Sequence, residues 1–389
     1  MYCYCIIATV GQSVISNSDK PIKDGVAAFA KQPMADLKLI KSSVHDFPGK
    51  NWYDMILAAL HAKANDPALL RRASAELNHL IPTLKDVKPN SNDVIHFIAS
   101  DTVEGVLAAR ILADFCRDYF GRATEVHIVE GLQVQNGQRF RRLGLSNLIE
   151  LVFRLLRKAD PHVYKRILNP TGGFKGVVPY LTLIGMLHPG VEIAYIYEFS
   201  DELITLAGLP FTLDFSQMEG AYDALLQAKR NPLSEQELRN ALGIGTQLIS
   251  EHPLWSLFDF IEDGNERVYE PSGLGKIVLE NFKDKLKTPV WLSEQAAERF
   301  DTFDTNWQAK FGALFDRLAD VDWRTRHQHG TLNQATIIKP GNVDERLYFY
   351  EMSNGGVLVP ELARHLANNS YDREPTQKSD YKPFRLWES

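Results

Sequence analysis

Apolar residues in the first half of the chain fall in short runs separated by stretches with helical spacing. Tyr2–Val10, Asp93–Ala99, Glu125–Val129, Arg166–Leu168 and Glu192–Phe199 read as buried strands. Between them, Val103–Tyr119, Leu145–Arg157 and Val178–Leu187 place apolar side chains on one helical face or bury a whole helix. Strands that alternate with helices predict crossover connections and a mainly parallel sheet. In such a sheet, ligands gather beyond the carboxyl ends of the strands. The stretch from Asp24 to Pro89 reads as helical and is longer than a crossover needs, so the pattern assigns it no role.

The pattern changes twice after residue 205. Between Gln217 and Lys287, Ser234 and Glu237 form a capping-box signature ahead of a helix carrying Leu238, Leu242 and Ile244. Phe258–Pro271 then reads as two short strands around an Asp263-Gly264 turn. Helices followed by such a hairpin suggest a winged-helix module, over 206–288, for DNA binding or for dimerisation. Beyond it, Gln295–Leu318 is helical, and ATIIK, RLYFYEM and GVLVPELA read as successive strands of an antiparallel sheet, the last two joined through Asn354-Gly355-Gly356. The expected architecture is an α/β Rossmann-like domain over 1–205, the winged-helix module, and an α+β domain over 289–389.

Composition limits the classes of function. The 389 residues carry 43 Lys and Arg against 49 Asp and Glu, a net charge of -6, so any polyanion must be held by a local cluster of cations or backbone amides. No apolar run reaches the length that crosses a bilayer, and the amino terminus lacks a basic segment and cleavage site, which predicts a cytoplasmic protein without a membrane partner. Cys3 and Cys5 share one side of a strand and cannot easily bond each other, and Cys116 stands apart. With no nearby histidine they predict packing thiols in a reducing compartment and no metal site.

Candidate chemistry concentrates first in Asn169-Pro170-Thr171-Gly172-Gly173-Phe174-Lys175-Gly176, at a strand-to-helix junction. Adjacent glycines let a ligand approach the backbone, the helix amino terminus offers free N–H donors, and Thr171 and Lys175 add a hydroxyl and a charge. An unliganded glycine turn has the same signature. Two other strand ends point to the same edge of the sheet: Gly11-Gln12-Ser13, and Ser100-Asp101-Thr102, which suits a helix cap.

The Gly-x-Ser loop after the first strand, with Asn-Pro-Thr-Gly-Gly-Phe-Lys after a later one, resembles the CARF domain of type III CRISPR ancillary proteins over about residues 1–205. The resemblance implies a homodimer that binds one cyclic oligoadenylate across its two-fold axis, most commonly cyclic tetra-adenylate. Gly11, Gln12 and Ser13 would line one side of the ligand, and Thr171, Gly172, Gly173 and Lys175 the other.

In RLYFYEM, strand alternation puts Arg346, Tyr348 and Tyr350 on one face. A cation beside phenols suits RNA, and it equally suits an ordinary amphipathic strand. The layout resembles the RelE family of ribosome-dependent mRNA interferases over about Pro289–Ser389. Arg346 matches the family's strand arginine, Lys339 a lysine on the preceding strand, and Arg364 and Tyr371 the late Arg and Tyr. A second expected lysine is Ile337 here. Twelve Lys and Arg against fifteen Asp and Glu from Pro289 onward make this domain acidic where free RelE toxins are basic, so its contact with the ribosome would need other means.

The implied chemistry needs no metal or cofactor: the RNA 2′-hydroxyl attacks the adjacent phosphate and leaves a cyclic phosphate. Arg346 and Lys339 would neutralise the developing charge, Arg364 and Tyr371 would orient the mRNA, and His329, Tyr348 or Lys339 would supply the base. Two alternatives remain at this stage. Arg324 and His329 have the Arg-x4-His spacing of HEPN ribonucleases, which are helical domains that cut free RNA, and the winged-helix module fits a ligand-controlled transcription regulator.

Overall fold

The computed structural model describes residues 2–31, 50–133, 136–196, 202–208, 213, 215–245, 247–263, 266–283, 288–340, 344–352, 356–365 and 370–387. The chain divides into two units, Met1–Leu213 and Asp214–Ser389.

Unit 1 is built on six strands: β1 (Cys3–Thr9), β2 (Val94–Ser100), β3 (Ala123–Val129), β4 (Tyr164–Asn169), β5 (Val191–Ile196) and β6 (Leu203–Ala207). Their order is β3-β2-β1-β4-β5-β6, parallel throughout except for antiparallel β6. The sheet is therefore Rossmann-like and parallel-rich, and it runs to Ala207. The end of the last expected strand, residues 197–199, lies outside the described residues. β1 is apolar on both faces because both are covered, and its Cys3 and Cys5, like Cys116, are buried free thiols. Of the long stretch before β2, the described residues form the helices Lys20–Phe29, Lys50–Ala62, Pro67–Ala73 and Ala75–Leu84, with Phe29, Tyr53, Leu77 and Leu80 in the core on one face of the sheet.

Two polar contacts pin this sheet at its amino-terminal edge. Arg122, at the start of β3, is buried with its Nε 2.9 Å from Asp93 Oδ2, and Asp93 Oδ1 accepts the Tyr4 amide at 2.7 Å. Each strand end thereby finds a partner that backbone pairing does not provide.

Unit 2 begins with the helix Phe215–Arg230, then β7 (Leu233–Ser234), the helix Glu235–Leu242, β8 (Phe258–Asp263), β9 (Glu266–Pro271) and the helix Gly273–Lys283. β9 pairs antiparallel with both β7 and β8. This is the expected wing, although Gly264 of its turn lies outside the described residues. Between Gly243 and β8 the described residues make short 3-10 turns at Ile249–Glu251 and Trp255–Leu257.

The capping box is present: Ser234 Oγ accepts from Glu237 N at 3.3 Å, and Glu237 Oε2 accepts from Ser234 N at 2.9 Å. Burial pushes the Glu237 carboxyl up, but hydrogen bonds from Ser234 and from Asn306 outweigh it and hold the carboxyl below its usual range. Ser234→Ala is expected to cost unit 2 about 1 kcal/mol near neutrality, read as a lower urea midpoint. A depressed folded-state carboxyl stabilises above its unfolded pKa of about 4.3, so the Glu237 share fades as pH falls through its lowered value.

The rest of unit 2 holds a second sheet, ordered β11-β12-β13-β14-β10-β16, with β15 paired to β13. Its strands are β10 (Val290–Leu292), β11 (Gln328–Leu332), β12 (Ala335–Ile338), β13 (Glu345–Glu351), β14 (Val357–Val359), β15 (Leu362–Arg364) and β16 (Arg385–Leu386). The expected antiparallel sheet is corrected at one pair, because β10 runs parallel to β14 and makes the sheet mixed. The expected helix over Gln295–Leu318 is two, Glu294–Thr302 and Thr305–Leu318, since Asp304 caps a fresh start through Trp307 N at 2.9 Å. β13 and β14 pair as a hairpin, whose Asn354-Gly355 lie outside the described residues.

The two helices cover one sheet face, where Phe311, Phe315, Leu347 and Phe349 are buried together. The helix Phe215–Arg230 is tied to Thr305–Leu318 by Arg230 to Asp316 at 2.9 Å and Arg317 to Asp223 at 2.8 Å. The winged-helix-like part and the second sheet therefore form one packed unit.

Candidate functional site

The carboxyl ends of β1, β2 and β4 bring three loops together in unit 1. The Thr9 hydroxyl donates to the Gly172 carbonyl at 2.5 Å, and Gly11 lies against the Gly173 backbone. Two cavities flank this contact. One, of about 310 Å³, is lined by Gly11, Gln12, Ser100, Thr102, Gly173 and Phe174 among others. The other, of about 730 Å³, is lined by Gln12, Ser13, Arg71, Arg72, Asn78, Thr171, Gly172 and Lys175 among others. Of the expected ligand residues, nine line the two cavities: Gly11, Gln12, Ser13, Ser100, Thr102, Thr171, Gly172, Gly173 and Lys175. Asp101 and Asn169 line neither and act behind them. Asp101 is buried within 3.9 Å of Arg139, and Asn169 Oδ1 accepts the Thr171 amide at 3.0 Å.

The loops are held by a carboxylate that the sequence reading passed over. Glu76 is 0% exposed, and its Oε1 accepts the Gly11 amide at 2.7 Å while its Oε2 accepts the Ser13 hydroxyl at 3.1 Å. Ser13 Oγ in turn accepts from Ala75 N at 2.9 Å, so the helix Ala75–Leu84 and the first loop are one hydrogen-bonded piece. Gly172 has no room for a side chain: a Cβ there would overlap Glu76 Oε1 and lie 2.6 Å from the Thr9 carbonyl. Gly173 takes φ +85°, which a side chain resists. Thr102 caps the next helix by accepting Gly105 N at 3.1 Å.

The Asn169 Nδ2 and Thr171 Oγ atoms are buried with no hydrogen-bond partner among the described residues. Such groups are costly unless a ligand or water meets them. Arg71 and Arg72, at the end of the helix Pro67–Ala73, supply cations that the reading of the helical stretch 24–89 did not anticipate, although the adjacent arginine pair was visible in the sequence. With Lys175 they bring three cations to the lining of the larger cavity, an arrangement suited to phosphates.

Unit 1 is thus of the Rossmann-like class, with three loops and two cavities at the carboxyl edge of its parallel-rich sheet. Residues 71–209 match the model of a family described as CRISPR-associated protein (Cas_APE2256). Over that span, from Arg71 past β6, the chain is similar to a CRISPR-associated family of the CARF type.

In unit 2, β12 and β13 pair Ile337 with Tyr348 and Ile338 with Leu347. Lys339 follows directly, so the same register sets it opposite Arg346, and alternation puts Lys339, Arg346, Tyr348 and Tyr350 on the face away from the helices. β15 adds Ala363 opposite Arg346. Tyr371 closes this face, edge-on to Tyr348 with ring centroids 6.2 Å apart, and His365 stands 5.9 Å from Tyr371. His365 is the group that sequence reasoning missed: it follows Arg364 directly, and the 365–371 bridge brings it beside the tyrosines.

Three expectations about this face change. It is not an open strand surface, since Arg346 is 4% exposed and Tyr348 0%. Burial pushes the Tyr348 phenol well above its usual range, and its hydroxyl donates to the Arg373 carbonyl at 3.3 Å, so it is not the free phenol the strand pattern suggested. Arg364 sits on the opposite, helix-covered side, where its Nε meets Asp372 Oδ2 at 3.0 Å and its guanidinium lies over Phe303 and Trp307. His329 is exposed at a bulge in β11 opposite Ile337–Ile338. Arg324 is buried at the end of the helix Val321–Arg326, bonded to the Leu318 carbonyl, and does not share an element with His329. No helix among the described residues is long and apolar enough to cross a membrane.

Proposed function

We propose that unit 1 is the receptor for a cyclic oligoadenylate, with cyclic tetra-adenylate as the first ligand to try. Unit 2 would be the endoribonuclease it controls, cutting mRNA on the ribosome in CRISPR antiviral defence. The observation that carries the reading is the convergence of three strand-end loops on cavities lined by their glycines and by Arg71, Arg72 and Lys175, with Thr171 Oγ buried and unpartnered among the described residues. A linear phosphate run needs such donors, and a ring of repeated phosphates is met best by two copies of the site related by a two-fold axis. The functional unit in this reading is a homodimer in the cytoplasm.

The effector half is supported by the sheet face that gathers Lys339, Arg346, Tyr348, His365 and Tyr371. In the metal-independent reaction of the RelE type, the 2′-hydroxyl loses its proton to a base and its oxygen attacks the adjacent phosphorus. The 5′-oxygen then leaves with a proton. Arg346 and Lys339 meet the negative charge that grows on the phosphate, His365 or His329 takes the proton, and Tyr348 and Tyr371 offer ring faces and hydroxyl donors. Because Arg346 is buried, ligand binding would act by favouring a state in which this face opens.

The test is mRNA cleavage in a reconstituted translation mixture, with and without cyclic tetra-adenylate, beside naked RNA. Cleavage is expected only with ligand and ribosomes together. Ligand-stimulated cleavage of naked RNA would overturn the ribosome-dependent reading, and retention of DNA that tracks ligand without any cleavage would make the protein a regulator.

A further inference from the structure

Away from the loops, on β2 and β3, three side chains aim their donor atoms at one point. His96 and Glu125 are direct partners across the parallel pair, and His127 follows two residues along β3 on the same face. His96 Nδ1 lies 3.1 Å from His127 Nε2 and 3.2 Å from Glu125 Oε2, and His127 Nε2 lies 3.5 Å from Glu125 Oε2. The three atoms form a nearly equilateral triangle.

Hydrogen bonds alone do not satisfy that triangle. The carboxylate oxygen only accepts. If one imidazole nitrogen donates and the other accepts, the accepting nitrogen faces the carboxylate with a second lone pair. If both donate, their N–H groups face each other at 3.1 Å. Every tautomer leaves two like-polarity atoms in contact, whereas a cation at the centre satisfies all three lone pairs. The edge of a tetrahedron with metal–ligand bonds of about 2.0–2.1 Å is about 3.3–3.4 Å, which is the spacing observed.

We propose that His96, Glu125 and His127 hold a divalent transition metal, Zn²⁺ in the first place, with water in the fourth position. Each of the three side chains offers one donor atom to that point. Arg154 and Lys158 stand close enough to repel a cation from this cluster. With one carboxylate set against two cations, charge attraction cannot hold the ion, and the nitrogen donor bonds must. This selects Zn²⁺ over Mg²⁺ or Ca²⁺. The metal would fasten β3, the edge strand, to β2, the strand whose end carries Ser100 and Thr102 into the ligand cavity.

The test uses the full chain stripped with a chelator and titrated with Zn²⁺ against a chromogenic competitor. One equivalent per chain is expected, with Mg²⁺ unable to compete and Co²⁺ giving the intense visible bands of tetrahedral coordination. At a hundredfold excess over the dissociation constant, the melting temperature is expected to rise by roughly 5–10 °C. His127→Ala is expected to remove the uptake and the bands, and the exposed Glu125→Gln to weaken binding at least tenfold. It serves as the second variant should His127→Ala fold poorly. No uptake by the parent chain would overturn the proposal, as would undiminished uptake by both variants, which would place the ion elsewhere.

Discussion

Gly172→Ala is expected to weaken cyclic tetra-adenylate binding at least a hundredfold and to cost unit 1 about 1–3 kcal/mol, the usual penalty of overpacking. The added methyl would overlap Glu76 Oε1, which holds the loop after β1 through the Gly11 amide, and would crowd the Thr9 carbonyl, beside the hydroxyl that ties Thr9 to the Gly172 carbonyl. Glu76 cannot retreat, because it is fully buried and already accepts from Gly11 and Ser13. The loop carrying Thr171 must shift instead, and its amides leave the positions a phosphate would use. Calorimetric titration of the variant with the ligand reads the first effect and thermal melting the second. Lys175→Ala, which removes one exposed charge from the same loop, is the comparison: it should weaken binding modestly and leave the melt unchanged. Full affinity in Gly172→Ala would mean that the ligand does not use this loop.

The second large effect is on the reaction. Arg346→Ala is expected to lower ribosome-dependent mRNA cleavage about 10²–10³-fold, the usual consequence of removing a donor to a developing oxyanion. The sequence suggested that this substitution spares the core. The structure corrects that, because Arg346 is 4% exposed and packed between β12 and β15. Alanine would leave a void there. Arg346→Met keeps most of the stem volume without the charge, and is expected to stay folded while losing the same activity. Arg364→Ala should behave in the opposite way. It frees Asp372, which Arg364 and Arg299 hold, and should loosen the segment after β15 while leaving cleavage within about tenfold of the parent. Cleavage sites mapped by primer extension, with unfolding midpoints for all three variants, separate the two behaviours. Parent-like activity in Arg346→Met would remove Arg346 from the chemistry.

Where hydrophobic period and end signals agreed, the sequence was legible. Most strands and helices of unit 1 fell within a residue or two of their observed bounds, because the inner strands are covered on both faces and the helices have a buried side; the exposed edge strand β6 carries no such signal and was missed. The Ser234–Glu237 box was readable because capping is local chemistry. Four short strands of unit 2, β7, β10, β11 and β16, were missed, and for two of them the reason is plain. β10 has three residues, too few to show a period, and its parallel pairing with β14 joins segments distant in the chain. β11 turns into β12 through Asn333 and Gln334 with φ of 49° and 69°, a tight hairpin turn without the glycine that usually marks it.

The site was legible in part for the same reasons. Glycines beside a strand end announce a backbone approach, so the loops at 11–13 and 169–175 stood out. Glu76, Arg71 and Arg72 did not, since nothing in a helical stretch shows which of its turns will lie beneath a loop 60 residues earlier in the chain. Arg346 and Tyr348 were placed on the correct face by alternation alone. Their burial was not visible, because the segment that covers them comes from Tyr371 and Tyr381, beyond the strand itself. The pairing of His96 with His127 was hidden likewise, being a matter of strand register.

Between β3 and the helix Leu145–Lys158 the chain makes one turn of π-helix, Phe140–Gly144, whose Gly144 meets the Gly131 backbone so closely that no side chain could intervene. Phe140 at its start sets its ring edge-on to Phe174 of the glycine loop, with centroids 5.0 Å apart. A π-turn is a helix carrying one surplus residue, and a surplus residue can be passed along a helix at less expense than breaking it. The wide turn therefore serves as slack in an otherwise taut domain. A guest that displaces Phe174 would draw on that slack, and the long amphipathic helix that follows would feel the pull as a change of pitch at its first turn.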